Sequence, residues 1–209
     1  MARPRQDRAV RTRAAILHAA AEVFDELGFS GASVSKIIAR ADATQGAMYF
    51  HFKSKEDLAR AVMNEQGEGI VMPEGEAGLQ HLIDITLHLA TELQSNVLLR
   101  AGVRLAVEQG EFGVQDDTAY QEWAARFHEQ LVAARGRGEL LPEVDERELA
   151  WVLVSCYTGT QLFSQVSTNR ADLPERVALL WRYLLPGVAT PEARARLVTT
   201  PGAAGAARR

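Results

Sequence analysis

The residues of this chain best suited to chemistry run from Thr44 to His51, and the chemistry they suit is recognition of a nucleic acid. The Gln45 amide can pair bidentately with adenine, Ala47 and the Thr44 methyl can meet a thymine methyl, and Gly46 lets the backbone come close to a phosphate. Tyr49, His51, Lys53 and Lys55 follow at spacings that let them donate to phosphate oxygens near the ends of a short helix. Upstream, Arg3, Arg5, Arg8, Arg11 and Arg13 face only Asp7, so the N-terminal arm is either a phosphate-neutralising strand, with Arg5 and Arg8 in reach of DNA, or a solvated basic tail. Ser33, which opens the preceding helix, completes the candidate DNA surface. Other chemistries find little support. Ser155, Cys156 and His128 form no nucleophile motif, and no phosphate-binding loop or dinucleotide fingerprint occurs, so no catalytic residue and no cofactor is expected. His81, Asp84 and His88 share a helix face, but no second helix offers matching ligands and no metal is expected.

The elements that must hold this surface are helices. Ile16, Ala20, Val23 and Leu27 recur at helical spacing before Gly28, which predicts a first helix over about Arg8 to Leu27. Ser33 caps a short second helix through Val34, Ile37, Ile38 and Ala41. Thr44 caps a third through Met48 to Phe50, and Ser54 with Asp57 opens a fourth from about Lys55 to Gln66. Two short helices separated by three or four residues describe a helix-turn-helix, and Asp42 tolerates the left-handed backbone that such a turn requires. Ile37, Ile38, Met48 and Phe24 should form the small core behind it. Five longer helices follow. The fifth starts at Leu79, and the largely apolar sixth, Val97 to Val107, is expected at the centre of the C-terminal body. The seventh carries Tyr120, Trp123, Phe127, Leu131 and Ala134, the eighth Leu149 to Phe163, and the ninth follows Pro174. No alternating strand pattern of useful length appears, so the fold class is all-α.

Composition agrees with a globular helical protein. The chain has 209 residues, of which 47% are hydrophobic and 24% charged, enough apolar material for a core in one or two domains. A membrane span and a signal peptide both lack their apolar block, which predicts a cytoplasmic protein with no membrane partner. One cysteine, Cys156, excludes an intrachain disulfide. The net charge of −4 is uneven: residues 1–60 carry 10 basic and 7 acidic groups, the remainder 13 and 20.

The stretch Gly46-Ala47-Met48-Tyr49-Phe50-His51-Phe52-Lys53-Ser54-Lys55-Glu56-Asp57-Leu58 resembles the signature of the TetR family of bacterial transcriptional regulators. In that signature a Gly-bearing recognition helix ends in Tyr-x-His-Phe and is followed by Lys-x-Lys-Glu-x-Leu. Asp42 stands where the family most often has Gly. Within the family, the recognition helix and Trp123 are similar to the γ-butyrolactone receptor branch. The resemblance implies an N-terminal three-helix helix-turn-helix domain over 1–54 and a C-terminal helical ligand-binding and dimerisation domain over 55–200, while the Ala/Gly/Arg composition of 201–209 reads as a disordered tail.

It further implies a ligand-responsive repressor that binds double-stranded operator DNA as a dimer and leaves it when a small apolar effector, a γ-butyrolactone or similar, enters the C-terminal domain. The alternative is a regulator of the same type that senses a drug or another metabolite. Trp123 would cover the ligand. Tyr120 and Phe127 share its helix face, Leu87, Val103 and Val152 are candidate apolar neighbours, and Gln66 and Thr158 are candidate polar contacts. The eighth and ninth helices carry apolar stripes wider than one core contact needs, with Trp151, Val154, Leu162, Trp181 and Leu184 left over. A homodimer through these two helices would bury them and would set two recognition helices in successive major grooves.

Overall fold

The computed structural model describes residues 3–67 and 69–201, with the backbone alone at 3–6. Its elements are α1 (Arg3–Gly31), α2 (Val34–Arg40), α3 (Gln45–His51), α4 (Lys55–Glu65), α5 (Leu79–Ser95) and α6 (Val97–Glu108). A 3-10 turn (Gln109–Phe112) follows, then α7 (Thr118–Gly136), α8 (Glu146–Thr168), α9 (Leu173–Val188) and α10 (Pro191–Arg194). Among the described residues there is no strand, only one isolated bridge between Leu140 and Ala189. The fold is all-α.

The chain divides into two compact units, 1–69 with 96–119 and 70–95 with 120–209. This division by packing does not coincide with a cut between 54 and 55, because α4 and α6 both pack in the first unit. There α6 lies against α1 and α4. The sixth helix is therefore not the centre of the C-terminal body: its apolar face is buried, as its pattern predicts, but periodicity cannot name the helix that covers it.

The core of the first unit is built from Ile16, Ala20, Val23, Phe24, Ile37, Met48, Phe52, Leu58 and Val62, all buried. Ile38 is only half-buried. The first helix does not end at Gly28. It breaks there, with φ 69° and ψ 179°, and resumes to Gly31. The freed Phe29 N–H donates to Glu108 Oε2 at 2.8 Å, and Arg104 donates both to Glu108 Oε1 (2.7 Å) and to the Asp25 carbonyl (2.7 Å). Glycine is required at the break for its positive φ, and a Cβ there would lie 2.6 Å from the Arg104 guanidinium.

The second unit packs α5 and α8 on α9. Asp145 caps α8 by accepting from the Arg147 and Glu148 N–H groups (2.9 and 2.8 Å). At the other end, Asp172 accepts from Ser164 Oγ (2.6 Å), Thr168 Oγ1 (2.7 Å) and Arg176 Nε (2.7 Å), tying the last turn of α8 to the first turn of α9. Those hydroxyls, Ser164 first, together with the guanidinium hold the Asp172 carboxyl down at about 2. Trp181 is fully buried between helices, its indole N–H donating to Thr86 Oγ1 at 2.7 Å. Trp181 and Val154 therefore belong to the unit's own core and are not left over for another surface. The partner hydroxyl on α5 is what allows a tryptophan inside, and sequence spacing alone does not reveal it.

Candidate nucleic-acid interface and candidate ligand residues

The turn between α2 and α3 begins with the Ala41 N–H donating to the Ile37 carbonyl (2.9 Å) and the Ala43 N–H to the Ile38 carbonyl (3.0 Å). This pattern closes a helix around one left-handed residue, here Asp42 at φ 47°. Thr44 then caps α3, its Oγ1 accepting from the Ala47 N–H at 3.1 Å. Met48 anchors the helix from beneath, fully buried, as is Ile37 on α2. A seven-residue helix with one buried anchor must turn its other side chains outward, and it does. Thr44, Gln45, Gly46 and Tyr49 are exposed, and Ala47 and His51 are half-buried.

Phe50 was not among the residues singled out from the sequence. It is 78% exposed on α3, with the His51 ring edge-on at 4.9 Å between centroids. Its ring stands out on the same short helix as the exposed Gln45 and Tyr49, which adds it to the candidate surface. A seven-residue stretch is too short for periodicity to tell its inner face from its outer one.

The basic residues divide. Arg8 and Lys53 are exposed, and the Lys53 backbone N–H donates to Asp57 Oδ2 at 2.8 Å, completing the reciprocal cap that starts α4. Lys55 instead turns inward: its ammonium donates to the Phe29 and Ala32 carbonyls (3.0 and 3.1 Å) and sits 3.9 Å from the Phe29 ring centre. Two of its three donors thus brace α4 against the junction of α1 and α2. Ser33 is the α2 cap, accepting from the Lys36 N–H at 3.3 Å. Arg13 makes a two-armed ion pair with Glu65 and lies 5.2 Å above the Phe52 ring. The Arg5 side chain lies outside the described residues.

The ligand candidates fall in both units. In the first, Gln66 ends α4, buried, with Oε1 unpartnered. A Cβ on Gly102 of α6 would lie 2.3 Å from the Gln66 Cβ, so glycine is what admits α4 this close. Val103 is the next residue along α6 and half-buried. In the second unit, Trp123 and Phe127 are neighbours on α7 with ring centres 6.1 Å apart, and the Arg126 guanidinium lies 5.1 Å from the Trp123 ring centre. Tyr120 is half-buried one turn earlier, and burial pushes its phenol up. Leu87 is buried on α5, Thr158 half-buried on α8, and Val152 half-exposed on α8 beside the exposed Trp151. His81 is committed elsewhere: Nδ1 meets Gln130 Oε1 at 3.0 Å and Nε2 the Pro73 carbonyl at 2.9 Å. Among the described residues no group of three His, Cys, Asp or Glu side chains is placed to hold a metal. Nor is any helix among them long and apolar enough to cross a membrane.

On their outer side, α8 and α9 leave an open groove of about 480 Å³, mostly apolar, lined by Cys156, Gly159, Thr160, Phe163, Arg176, Leu179, Leu180 and Tyr183. Phe163 and Tyr183 are 61% and 72% exposed and Leu179 48%, and the Arg176 guanidinium lies 4.7 Å from the Phe163 ring centre. These are the apolar residues that two long, closely packed helices leave uncovered.

Residues 16–62 match the model of the bacterial regulatory proteins of the tetR family, and residues 76–190 match the tetracyclin repressor-like C-terminal domain. The chain is 39% identical to the A-factor receptor protein of Streptomyces griseus over 187 residues, 90% of this chain and 67% of that one. The solved structure of full-length native TylP, a tetR regulator from Streptomyces fradiae, superposes with a TM-score of 0.83 at 40% identity, covering 94% of this chain and 95% of that one. A γ-butyrolactone receptor described as an ArpA-like protein superposes with a TM-score of 0.72 at 29% identity, covering 96% and 98%.

Proposed function

The chain belongs to the TetR family of bacterial regulatory proteins, and from that premise we propose that it is released from its operator by a γ-butyrolactone-type effector while acting as a homodimer joined through α8 and α9. It is a DNA-binding transcriptional repressor and not an enzyme. The DNA-binding reading is carried by the surface of α3, where a buried Met48 leaves Thr44, Gln45, Gly46, Tyr49 and Phe50 facing out together, while the lactone is supported by the likeness to a γ-butyrolactone receptor and the dimer contact by the exposed apolar groove of α8 and α9.

On this surface Gln45 reads a base edge, Thr44, Ala47 and Phe50 meet thymine methyls, and Tyr49, His51 and Lys53 hold phosphates. Ser33 and Arg8 add phosphate contacts at the flank, and Arg5 extends the basic arm. Lys55 keeps one donor for a phosphate while its other two position the helix start. Such contacts differ in what they do when removed. Tyr49→Ala weakens binding to all sequences alike, whereas Gln45→Ala costs about 1–3 kcal/mol at one base pair and relaxes the choice there. Binding measured on a panel of single-base operator variants separates the two. A Gln45→Ala protein that keeps the full preference would remove Gln45 from the reading set.

The effector belongs to the second unit. Trp123, with Tyr120 and Phe127 on the same helix, offers the aromatic wall that a small apolar ligand needs, and Leu87 on α5 with Thr158 and Val152 on α8 completes the candidate set in this unit. Gln66 at the end of α4 and Val103 on α6, where those two helices pack, remain candidate polar and apolar contacts. The likeness to a γ-butyrolactone receptor and to the A-factor receptor protein supports a lactone rather than a cationic drug. Effector and operator binding exclude one another only as far as their coupling energy allows, typically about 1–3 kcal/mol. Trp123→Ala is expected to leave operator affinity within about twofold and to raise the lactone concentration needed for release by tenfold or more. The measurement is a mobility shift titrated with a γ-butyrolactone carrying a medium-length acyl chain. Unchanged release by the variant would remove Trp123 from the site.

A further inference from the structure

The buried face of α8 continues past the aliphatic residues Ala150, Leu153 and Val154 into a polar stretch. Gln161 is 2% exposed, and its Oε1 is buried without a hydrogen-bond partner. One turn earlier, the Tyr157 hydroxyl is likewise buried and unpartnered. Residues four apart on a helix stand one above the other, so a donor and an acceptor are presented side by side to the interior of the second unit. Two unmade hydrogen bonds on adjacent turns work against folding, and a hydrophobic pair would avoid the cost.

A second, independent feature lies at the end of the same helix. Asn169 and Arg170 both take left-handed backbone conformations, with φ 51° and 67°. Asparagine adopts this region readily at a helix end, but arginine does so at a cost. The surroundings enforce it. The Arg170 N–H donates to the Ser164 carbonyl (3.2 Å), and the Gln94 amide donates to the Arg170 and Ala171 carbonyls (3.0 and 3.2 Å). The result is an arginine only 2% exposed, whose guanidinium donates to Gln165 Oε1 at 2.8 Å. That guanidinium is close enough to Tyr157 to pull its phenol down against the stronger upward push of burial, so the hydroxyl keeps its proton and is a donor at neutral pH. Backbone strain of this kind persists only where the surroundings enforce it, and such positions cluster at ligand clamps and switch regions.

We infer that Tyr157 and Gln161 form the polar end of the effector site in the second unit, with Arg170 as their electrostatic backing, and that they select a ligand carrying a carbonyl and a nearby hydroxyl. Tyr157 donates to the carbonyl oxygen, and Gln161 Oε1 accepts from the hydroxyl. This assignment rests on the lactone reading given above and adds what that reading lacks, a pair of residues that tells one lactone from another. A site built to hydrogen-bond a hydroxyl rejects the analogue without it, because the protein acceptor is then left buried and unmet.

The test uses the full-length protein and two probes, an acylated γ-butyrolactone bearing a hydroxymethyl group on the ring and the same lactone with methyl in its place. The wild-type protein should bind the hydroxymethyl compound at least tenfold more tightly, by calorimetry and by release from operator DNA. Gln161→Leu should bring the two compounds to equal affinity, and Tyr157→Phe should weaken both about tenfold. Neither substitution should lower the melting temperature of the free protein or its operator affinity, because each removes a group that is unpaired without ligand. If the wild-type protein binds both lactones equally well, the lactone reading stands and the assignment of Tyr157 and Gln161 falls. If it binds neither, the lactone reading itself fails and the assignment goes with it. A drop in melting temperature with unchanged ligand preference would make the two residues structural and overturn the proposal.

Discussion

Leu179→Asp is expected to yield a monomer whose operator affinity is lower by about 10²- to 10⁴-fold. The side chain lies half-exposed in the apolar groove of α8 and α9, among Phe163, Leu180 and Tyr183. In the proposed two-fold dimer through α8 and α9 the same groove would face its own copy, so the substitution would place two carboxylates, one from each protomer, in one desolvated contact. The consequence for DNA is larger than for dimerisation alone. One α3 reaches only a few base pairs, and the second half-site is engaged at the effective concentration that the dimer supplies, which sets the size of the loss. Sedimentation and operator titration on the same preparation check both halves. A Leu179→Asp protein that stays dimeric and keeps its affinity would move the dimer contact away from these helices.

The other large effect is on stability. Trp181→Ala should destabilise the second unit by about 3–5 kcal/mol, read from chemical denaturation, because it opens a cavity at the meeting of α9 and α5 and removes the donor that Thr86 Oγ1 accepts from. Trp181→Phe keeps most of the ring volume and loses the N–H, so it should cost clearly less. Equal losses for the two would mean that the hydrogen bond, not the packing, governs the site.

Much of this was legible in the amino acids because local rules sufficed. Thr44 and Ser54 cap the helices they precede, and Asp42 takes the left-handed turn expected of it. The turn and the exposed reading helix follow from short-range chemistry. What escaped depends on residues far away in the chain. Gly28 reads as a stop, yet the helix resumes because Glu108, 79 positions on, captures the Phe29 N–H. Lys55 reads as a phosphate contact, yet two carbonyls of the α1–α2 junction claim most of its ammonium. Trp181 reads as surplus apolar surface until Thr86 supplies its partner. Phe50 was passed over because a seven-residue helix has too few turns to reveal a face. The tail read as disordered falls, from 202 onward, outside the described residues.

Nuclease protection of an operator selected from random sequence by the full-length protein tests the central claim most directly. The account predicts a two-fold symmetric site whose half-sites lie about one helical turn apart, 34–36 Å centre to centre or a multiple of it, with protection lost on adding the lactone. An asymmetric footprint of a single half-site, or selection of the same sequence by a protein carrying Gln45→Ala and Tyr49→Ala together, would contradict it.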